Sequence, residues 1–445
     1  MFSGHVSRVL LDKIHAPHGA CDWVMGWAST EGHPDSQPFL SSPDLLSLLN
    51  VLWENRKLFV QALFRTYFPG LSGVIFVLWR YTCSSSESAS ISSNKLMTAP
   101  FCEILWRSML VATEDQFTTL HFINNFVYYE KKVDFWDKSP KYVDLEDSCT
   151  LLDVLSARLV PTDRRLFKPM SMLPLVSLLK TVMELIQPGS EGCYPALLTG
   201  LVERFWTALE ENELPEDIIL TAGSVFLCLG ELLEPLDHNR YSSRTAKVDL
   251  VKALEQHDFL ELLGRLILLL EPSDEPSPYS PHIPRNSWFL ANTLHIVTTL
   301  VNMAPDRLLI DQFEARIDDW YRVEHALLLS KYIEGSYPDT YQTLHHQCLR
   351  TWWCIGERIG LERRAQALAR YECSYSRCPQ GKNLFFVEFT CHLCFGEKLR
   401  YCSALCQSKD WTLDHGGGSH RQRCRPKTRP PVRASGIIDM VGRQD

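Results

Sequence analysis

The chain has 445 residues, of which 45% are hydrophobic and 22% are charged, and its formal net charge at pH 7 is -8. This length predicts two or three domains, and the composition is that of a soluble globular protein with ample material for a core. The net negative charge argues against a chain that binds nucleic acid along its whole surface.

The amino-terminal region and the apolar stretches favour an intracellular protein without a membrane partner. The opening sequence MFSGHVSRVLLDKIHAPHGACDW lacks the long apolar run and the small-residue cleavage site of a secretory signal. The two most apolar stretches, residues 71–79 and 262–270, are shorter than the roughly 18–20 residues that span a bilayer. The sequence does not distinguish the nucleus from the cytoplasm.

Residues 1–370 predict an all-helical body. After Pro43, apolar residues recur at helical spacing as far as Phe64, and Asp44 stands where a helix N-cap or first-turn acid belongs. A Ser-rich stretch at 83–94 and a polar stretch at 131–147 predict loops. Helical periodicity resumes near Pro100 and predicts helices over residues 100–129, 170–186, 194–211, 215–233, 247–270, 287–301, 310–329 and 339–372.

A series of helix pairs is typical of HEAT- or armadillo-like stacks, whose repeats run roughly 40–47 residues. No internal repeat at a fixed period is evident in the sequence. The prediction is therefore an all-α body, with a HEAT- or armadillo-like stack as an open alternative within that class.

The chain has 15 cysteines, and their distribution is uneven. A reducing compartment argues against a disulfide framework. Seven cysteines crowd between Cys373 and Cys424. The other eight are scattered, and we interpret them as buried, inert apolar groups: Cys21, Cys83, Cys102, Cys149, Cys193, Cys228, Cys348 and Cys354.

The clustered cysteines and one histidine predict two zinc ions. Zinc prefers thiolate and imidazole ligands, and a closed structural site needs four of them. Both sites would be closed, which argues against zinc catalysis. For any single pair, a redox dithiol or a buried thiol is the alternative, but the ordered set of eight favours zinc: Cys373, Cys378, Cys391, Cys394, Cys402, Cys406, His420 and Cys424.

Local spacing supports the ligand pairs. Cys391 and Cys394, followed by a glycine, form a knuckle that brings two sulfurs toward one metal. Cys402 and Cys406 are four residues apart, as are His420 and Cys424, so each pair would share one face of a helix. Residues 385–389 and 399–401 look like short strands that lead into ligand pairs.

The order of these pairs closely resembles a MYND-type zinc finger over residues 371–424, and the Tyr401-Cys402, Cys406-Gln407 and Asp410-Trp411 dipeptides agree with that family. The resemblance implies two interleaved sites, whereas spacing alone also permits a sequential pairing. In the interleaved pairing, Cys373, Cys378, Cys402 and Cys406 hold the first zinc, and Cys391, Cys394, His420 and Cys424 hold the second.

Three departures from the family pattern concern the ligands. The first pair is Cys-x4-Cys rather than Cys-x2-Cys, and a long loop follows it. An insertion at residues 416–419 then leaves His415 and His420 as competitors for one ligand position. We favour His420 because it stands four residues before Cys424.

The resemblance implies a protein-interaction adaptor, because MYND-type modules bind short proline-containing peptides in an extended conformation. The matching positions are Gln407 and Trp411, with His392 between the third and fourth ligands. An indole face offers a flat apolar platform for a proline ring, and an amide can hold a backbone carbonyl. Trp411 can equally pack the small core over the zinc sites.

The residues after the finger, 425–445, predict a basic, proline-containing and disordered tail. Six basic residues and no acid lie between Arg421 and Arg433, a pattern that could contact phosphate or act as a nuclear-import signal. A transcription-associated factor that touches nucleic acid through the finger and tail is therefore the alternative function.

The sequence argues against an enzyme. A MYND finger can accompany a SET-type lysine methyltransferase core, which would lie around the finger and carry an Asn-His pair downstream. Only 21 residues follow Cys424, and the chain has no Asn-His dipeptide. The motifs of zinc proteases, of α/β-hydrolases and of P-loop nucleotide-binding proteins are also missing from the sequence.

Overall fold

A computed structural model describes most of the helical body and parts of the cysteine-rich region. The described residues are 41–84, 91–129, 143–164, 167–238, 244–273, 276–277, 280–305, 307–333, 339–361, 374–375, 378, 389–390, 400–401, 404–412 and 419–424. The predicted tail at 425–445 lies outside them.

The described chain is predominantly helical with almost no strand, which confirms the predicted all-α class for the body. Short 3-10 turns occur at Glu191–Cys193 and Glu314–Arg316, and a two-stranded antiparallel hairpin joins β1 (Pro276–Ser277) to β2 (Ser280–Pro284). The helices of the body are α1 (Ser42–Glu54), α2 (Arg56–Arg65), α3 (Leu71–Ser84), α4 (Ile91–Val111), α5 (Glu114–Tyr129), α6 (Leu145–Leu159), α7 (Met172–Met183), α8 (Tyr194–Glu210), α9 (Pro215–His238), α10 (Arg244–Gln256), α11 (Phe259–Leu268), α12 (Arg285–Met303), α13 (Leu308–Phe313), α14 (Ile317–Ile333) and α15 (Asp339–Ile359).

The chain divides into two compact units. The first comprises residues 1–313 and 336–359, and the second comprises residues 314–335 and 360–445. Helix α14 is therefore grouped with the cysteine-rich region rather than with the other body helices. The boundaries at 371 and 425 that the sequence suggests stay predictions.

Helices of the first unit pack in two rows. One row runs α7, α9, α12 and α15, and the other runs α6, α8, α10 and α13, each helix packing on the next in its row. Three of these six neighbouring pairs, α7 with α9, α6 with α8 and α8 with α10, are next but one along the chain, as in a stack of helix pairs, whereas two helices intervene in each of the other three pairs. The HEAT- or armadillo-like stack remains a prediction.

Two helices begin inside stretches that the sequence predicts as loops. Helix α4 begins at Ile91 inside the predicted Ser-rich loop and continues through Pro100. From Phe101 to Val111 this helix is buried on every side, so its sequence lacks the polar face that marks an amphipathic helix. Burial of this whole segment outweighs the backbone hydrogen bond that the proline removes.

Helix α6, which the sequence reasoning did not identify, begins within the stretch predicted as a polar connector. The side chain of Asp144 caps it by accepting a hydrogen bond from the backbone N–H of Asp147 at 2.9 Å. The apolar side chains of this helix lie in the core: Leu151, Leu152, Val154, Leu155 and Leu159.

Two long predicted helices are each divided by a local backbone feature. The first predicted helix breaks at Asn55, where α1 ends and α2 begins. The predicted helix over 247–270 breaks at Asp258, whose φ of 55° lies in the left-handed region. A single residue in the left-handed region interrupts a helix, and aspartate adopts this conformation more readily than most residues.

Helices α9 and α12 make the most extensive helix contact among the described residues of the first unit, and two glycines lie in it. Gly223 lies against Trp288 and Gly230 lies against His295, seven residues further along both helices. A Cβ atom added at Gly223 would lie 2.4 Å from the Trp288 ring, and one added at Gly230 would lie 2.3 Å from His295 Nε2. The absence of side chains at these two positions lets the helices approach.

We expect Gly223→Ala to lower the free energy of unfolding by about 1–3 kcal/mol, because the added methyl must displace a buried indole. Gly230→Ala should cost less, since His295 is only half-buried. Gly73→Ala is the matched control, because a Cβ at Gly73 meets nothing within 4 Å, and it should be neutral or slightly stabilising. Urea unfolding followed by circular dichroism measures all three, and equal midpoints for Gly223→Ala and Gly73→Ala would contradict the close contact.

Helix α9 also has the length and apolar composition of a membrane span over Pro215–Leu236, and it is the one such helix among the described residues. In the folded chain 72% of that window is buried inside the protein. Burial of this extent is what the central helix of a folded core shows, so the composition by itself is weak evidence for a membrane.

Several scattered cysteines are buried, as the sequence interpretation expects. Cys102, Cys228 and Cys348 lie in the core, and burial raises the pKa of Cys228 to about 11 and that of Cys348 to about 12. Their thiols stay protonated near neutral pH and are poor nucleophiles. Cys149, Cys193 and Cys354 are half-buried, and Cys21 and the Cys83 side chain lie outside the described residues.

A buried ionic network ties three helices of the first unit together. Arg107 on α4 places Nη2 2.6 Å from Asp147 Oδ2 and Nη1 3.0 Å from Glu103 Oε2, and these three side chains are at most 1% exposed. Arg56 on α2 lies 3.8 Å from the same Asp147 oxygen. Charges this deep persist only when they are paired, so α2, α4 and α6 depend on one another.

Candidate metal centre

The cysteine-rich region contains a small hairpin and two short helices among its described residues. Strand β3 (Phe389–Thr390) pairs antiparallel with β4 (Arg400–Tyr401), with Phe389 opposite Tyr401. Helix α16 (Ala404–Thr412) follows β4, and helix α17 (His420–Arg423) lies further along the chain. Phe389, Arg400 and Tyr401 agree with the predicted strands, whose other residues lie outside the described ones, and Thr390 lies one residue beyond the first predicted strand.

Two predicted zinc ligands from distant parts of the sequence lie side by side. The Sγ atoms of Cys378 and Cys406 are 3.8 Å apart. A disulfide would bring them to about 2.05 Å, whereas two thiolates bound to one tetrahedral zinc at about 2.3 Å lie about 3.8 Å apart. The donor pair therefore fits a zinc ion.

The two cysteines occupy defined positions in this small unit. Cys378 closes a turn by donating its backbone N–H to the carbonyl of Tyr375 at 3.0 Å. Cys406 is in the first half of α16, which begins at Ala404, after Cys402. Cys406 is buried and packs with Tyr375 and Tyr401, and Cys378 is half-buried against this cluster.

Helix α17 positions the predicted histidine ligand. Ser419 and Gln422 form a capping box that starts the helix at His420. The backbone N–H of Cys424 donates to the carbonyl of His420 at 2.7 Å, so this predicted ligand pair is one helical turn apart. His420 is 2% exposed, whereas Cys424 is half-buried.

Two buried side chains connect His420 to helix α16. The hydroxyl of Tyr401 donates to Oδ2 of Asp410 at 2.7 Å and lies 3.0 Å from Nδ1 of His420. The direct distance between His420 Nδ1 and Asp410 Oδ2 is 3.8 Å, which is too long for a hydrogen bond. Tyr401 therefore stands between the carboxylate and the imidazole.

The predicted peptide-binding residues on α16 are half-buried. The Trp411 ring lies 5.3 Å from the His420 ring, centroid to centroid, at an interplanar angle of 34°, and both Trp411 and Gln407 keep part of their surface in solvent. Trp411 thus packs over the histidine while part of its surface stays accessible. Nearby Leu405 is 60% exposed.

The structure describes four of the eight predicted ligands. It brings Cys378 to Cys406, and it places Cys424 one turn from His420. Across the part of the chain that it describes, no group of three or more metal-binding side chains converges. The remaining predicted ligands and the other histidines of interest lie outside the described residues: Cys373, Cys391, Cys394, Cys402, His392 and His415.

The contacts of Tyr401 and Asp410 were not anticipated from the sequence. Both residues entered the sequence reasoning only as positions that agree with the MYND pattern. A signal for them exists in the spacing, since Asp410 stands four residues after Cys406 and would share its helix face. Their partner on α17 depends on the tertiary fold.

Comparison with known proteins identifies no relative. No family model matches the chain, and neither a curated protein nor a solved structure matches it. The case for a metal centre therefore depends on the ligand residues and on their geometry.

Proposed function

We propose that residues 371–424 form a MYND-type finger that holds two zinc ions and binds short proline-containing peptides, so that the protein acts as an adaptor. The observation that carries the proposal is the 3.8 Å separation of the Cys378 and Cys406 sulfurs. That distance matches the separation of two thiolates bound to one tetrahedral zinc.

The same contact supports the interleaved arrangement of sites. In a sequential pairing, Cys378 would share a metal with Cys391 and Cys394, and Cys406 would belong to the other metal. The proximity of Cys378 to Cys406 instead favours one site that spans the hairpin. Cys373 and Cys402 would complete the first site, and Cys391, Cys394, His420 and Cys424 would form the second.

Zinc in such sites supplies a cross-link rather than a reaction centre, because four protein ligands leave no position for a substrate. The burial of His420 and Cys406 agrees with this structural role and with His420 as a ligand. A finger fixed in this way presents α16 as a rigid surface.

The face of α16 that carries Gln407 and Trp411 is the surface we assign to peptides. The two residues are four apart on the helix, so they share one side of it. The solvent-accessible part of the indole gives a proline ring an apolar platform, and the Gln407 amide can bond a peptide carbonyl.

Trp411→Ala should weaken the binding of a proline-containing peptide by about 10–30-fold, the loss typical of a central aromatic anchor. The measurement is fluorescence anisotropy of a labelled peptide library with the full-length protein. Lys409→Ala, on an exposed position of the same helix, should bind as wild type does. Gln407→Ala provides a second variant, and zinc content is read in every sample.

The salt dependence of binding separates the two candidate functions. Peptide binding through Trp411 should change little with salt, whereas nucleic-acid binding through the basic residues after Cys424 would weaken steeply as salt rises. If the protein binds DNA in a salt-sensitive way and has no affinity for peptides, the adaptor function is wrong and the transcription-associated function takes its place.

A further inference from the structure

Three buried polar side chains in the finger are linked by hydrogen bonds, and the number of protons available determines which atom donates in each bond. Asp410, Tyr401 and His420 are each 2–3% exposed. The Tyr401 hydroxyl has a single proton, and the short 2.7 Å contact directs it to the Asp410 carboxylate. The hydroxyl oxygen can then only accept from His420, so the proton of that 3.0 Å contact belongs to Nδ1.

A neutral imidazole that carries its proton on Nδ1 has its lone pair on Nε2. The opposite tautomer would oblige Tyr401 to donate to His420, and the Asp410 carboxylate would then face the lone pairs of the hydroxyl at 2.7 Å. Such an arrangement is repulsive in a buried site. The Asp410 carboxylate thus selects the nitrogen with which His420 can bind a metal.

We propose that Tyr401 and Asp410 are positioning residues that hold His420 for coordination of the second zinc through Nε2. This inference rests on the proposed function, since it concerns a ligand of the proposed finger. Partners of this kind fix the tautomer and ring orientation of a metal-bound histidine and raise its basicity.

The position of Asp410 adds a link between the two proposed sites. Asp410 lies one turn after Cys406 on α16, so the helix that carries a ligand of the first zinc also carries the carboxylate that orients a ligand of the second. Trp411, the next residue, covers the His420 ring. Zinc binding at the first site therefore fixes helix α16, which carries the carboxylate that orients the histidine ligand of the second site.

Two variants with minimal change of shape test the proposal in the full-length protein. Tyr401→Phe removes the hydroxyl and keeps the ring, and Asp410→Asn removes the charge and keeps the shape. Each should lower the affinity for the second zinc by about 10–100-fold, while the first zinc stays bound. Competition with a chromophoric chelator measures the two zinc ions separately, and Lys409→Ala should match wild type.

The nitrogen spectrum of His420 in the wild-type protein reports directly which ring nitrogen binds the metal. In zinc-loaded protein labelled with 15N-histidine, we expect a protonated Nδ1 and a metal-bound Nε2, with His420→Gln identifying the signal. Coordination through Nδ1, or an unchanged second zinc affinity in both variants, would overturn this inference and leave the finger intact. A wild-type chain that binds no zinc would overturn the proposed function together with it.

Discussion

Full-length protein purified under reducing conditions should carry two zinc ions per chain, and removing them should unfold the finger and leave the helices of the first unit intact. Among the described residues of the finger, the buried apolar cluster consists of Tyr375, Tyr401 and Cys406 with Cys378 beside it. So small a cluster cannot stabilise a fold. Structural zinc contributes about 10–16 kcal/mol per site in finger peptides.

Hydrogen exchange read by mass spectrometry measures this effect region by region. After chelation, peptides from residues 371–424 should lose their protection, whereas peptides from α8, α9 and α12 should keep theirs. Metal analysis of Cys406→Ala should find no more than one zinc per chain, and Cys354→Ala, a half-buried cysteine of the body, should retain two. Protein that carries no zinc when purified without chelator would refute the metal centre, and the clustered cysteines would then need a redox explanation.

The second large effect concerns the buried ionic network of the body. Asp147→Ala should lower the free energy of unfolding by about 3–5 kcal/mol, because it leaves the fully buried Arg107 without its closest carboxylate. The carboxylate lies 2.6 Å from Arg107 Nη2 and is 1% exposed, so water cannot replace it. Denaturant unfolding of the variant and of wild type gives the difference directly.

An exposed ion pair in the same unit provides the control for Asp147→Ala. Lys168 and Glu114 lie 2.9 Å apart with both side chains 76% exposed, and removing such a pair costs at most about 1 kcal/mol. Glu114→Ala should therefore change stability little. Asp147→Asn keeps the shape of the side chain, and its loss of stability should lie between those of Asp147→Ala and Glu114→Ala. If Asp147→Ala lowers the free energy of unfolding no more than Glu114→Ala does, the network does not hold the helices together.

Many helices of the body were predictable because they have one polar face, although α6 was missed. Amphipathic helices such as α8 and α12 were predicted within one or two residues of their observed ends, because a half-buried helix displays its periodicity in the sequence. The start of helix α4 was missed because it lies in a Ser-rich stretch that predicts a loop and is separated from the rest of the helix by Pro100. The network of Arg107 and Asp147 was not predictable either, since those residues are forty positions apart and meet only in the fold.

For the finger, the sequence predicts which residues can bind zinc because thiolates and imidazoles are few and regularly spaced. It does not decide between interleaved and sequential pairing, which depends on which cysteines approach in space. The contact between Cys378 and Cys406 favours the proposed interleaved pairing. The role of Asp410 likewise depends on the hydroxyl of Tyr401, a partner that spacing alone does not indicate.

The packing of α9 has a consequence for how the chain is synthesised. Helix α9 leaves the ribosome before α12, which covers its two glycines, and two helices and a hairpin are made in between. During that interval the face of α9 that later packs on α12 is uncovered, and it belongs to an apolar segment as long as a bilayer is thick. An exposed apolar surface of this kind binds chaperones or aggregates. A chain truncated before Arg285 lacks α12 and would keep this surface exposed permanently.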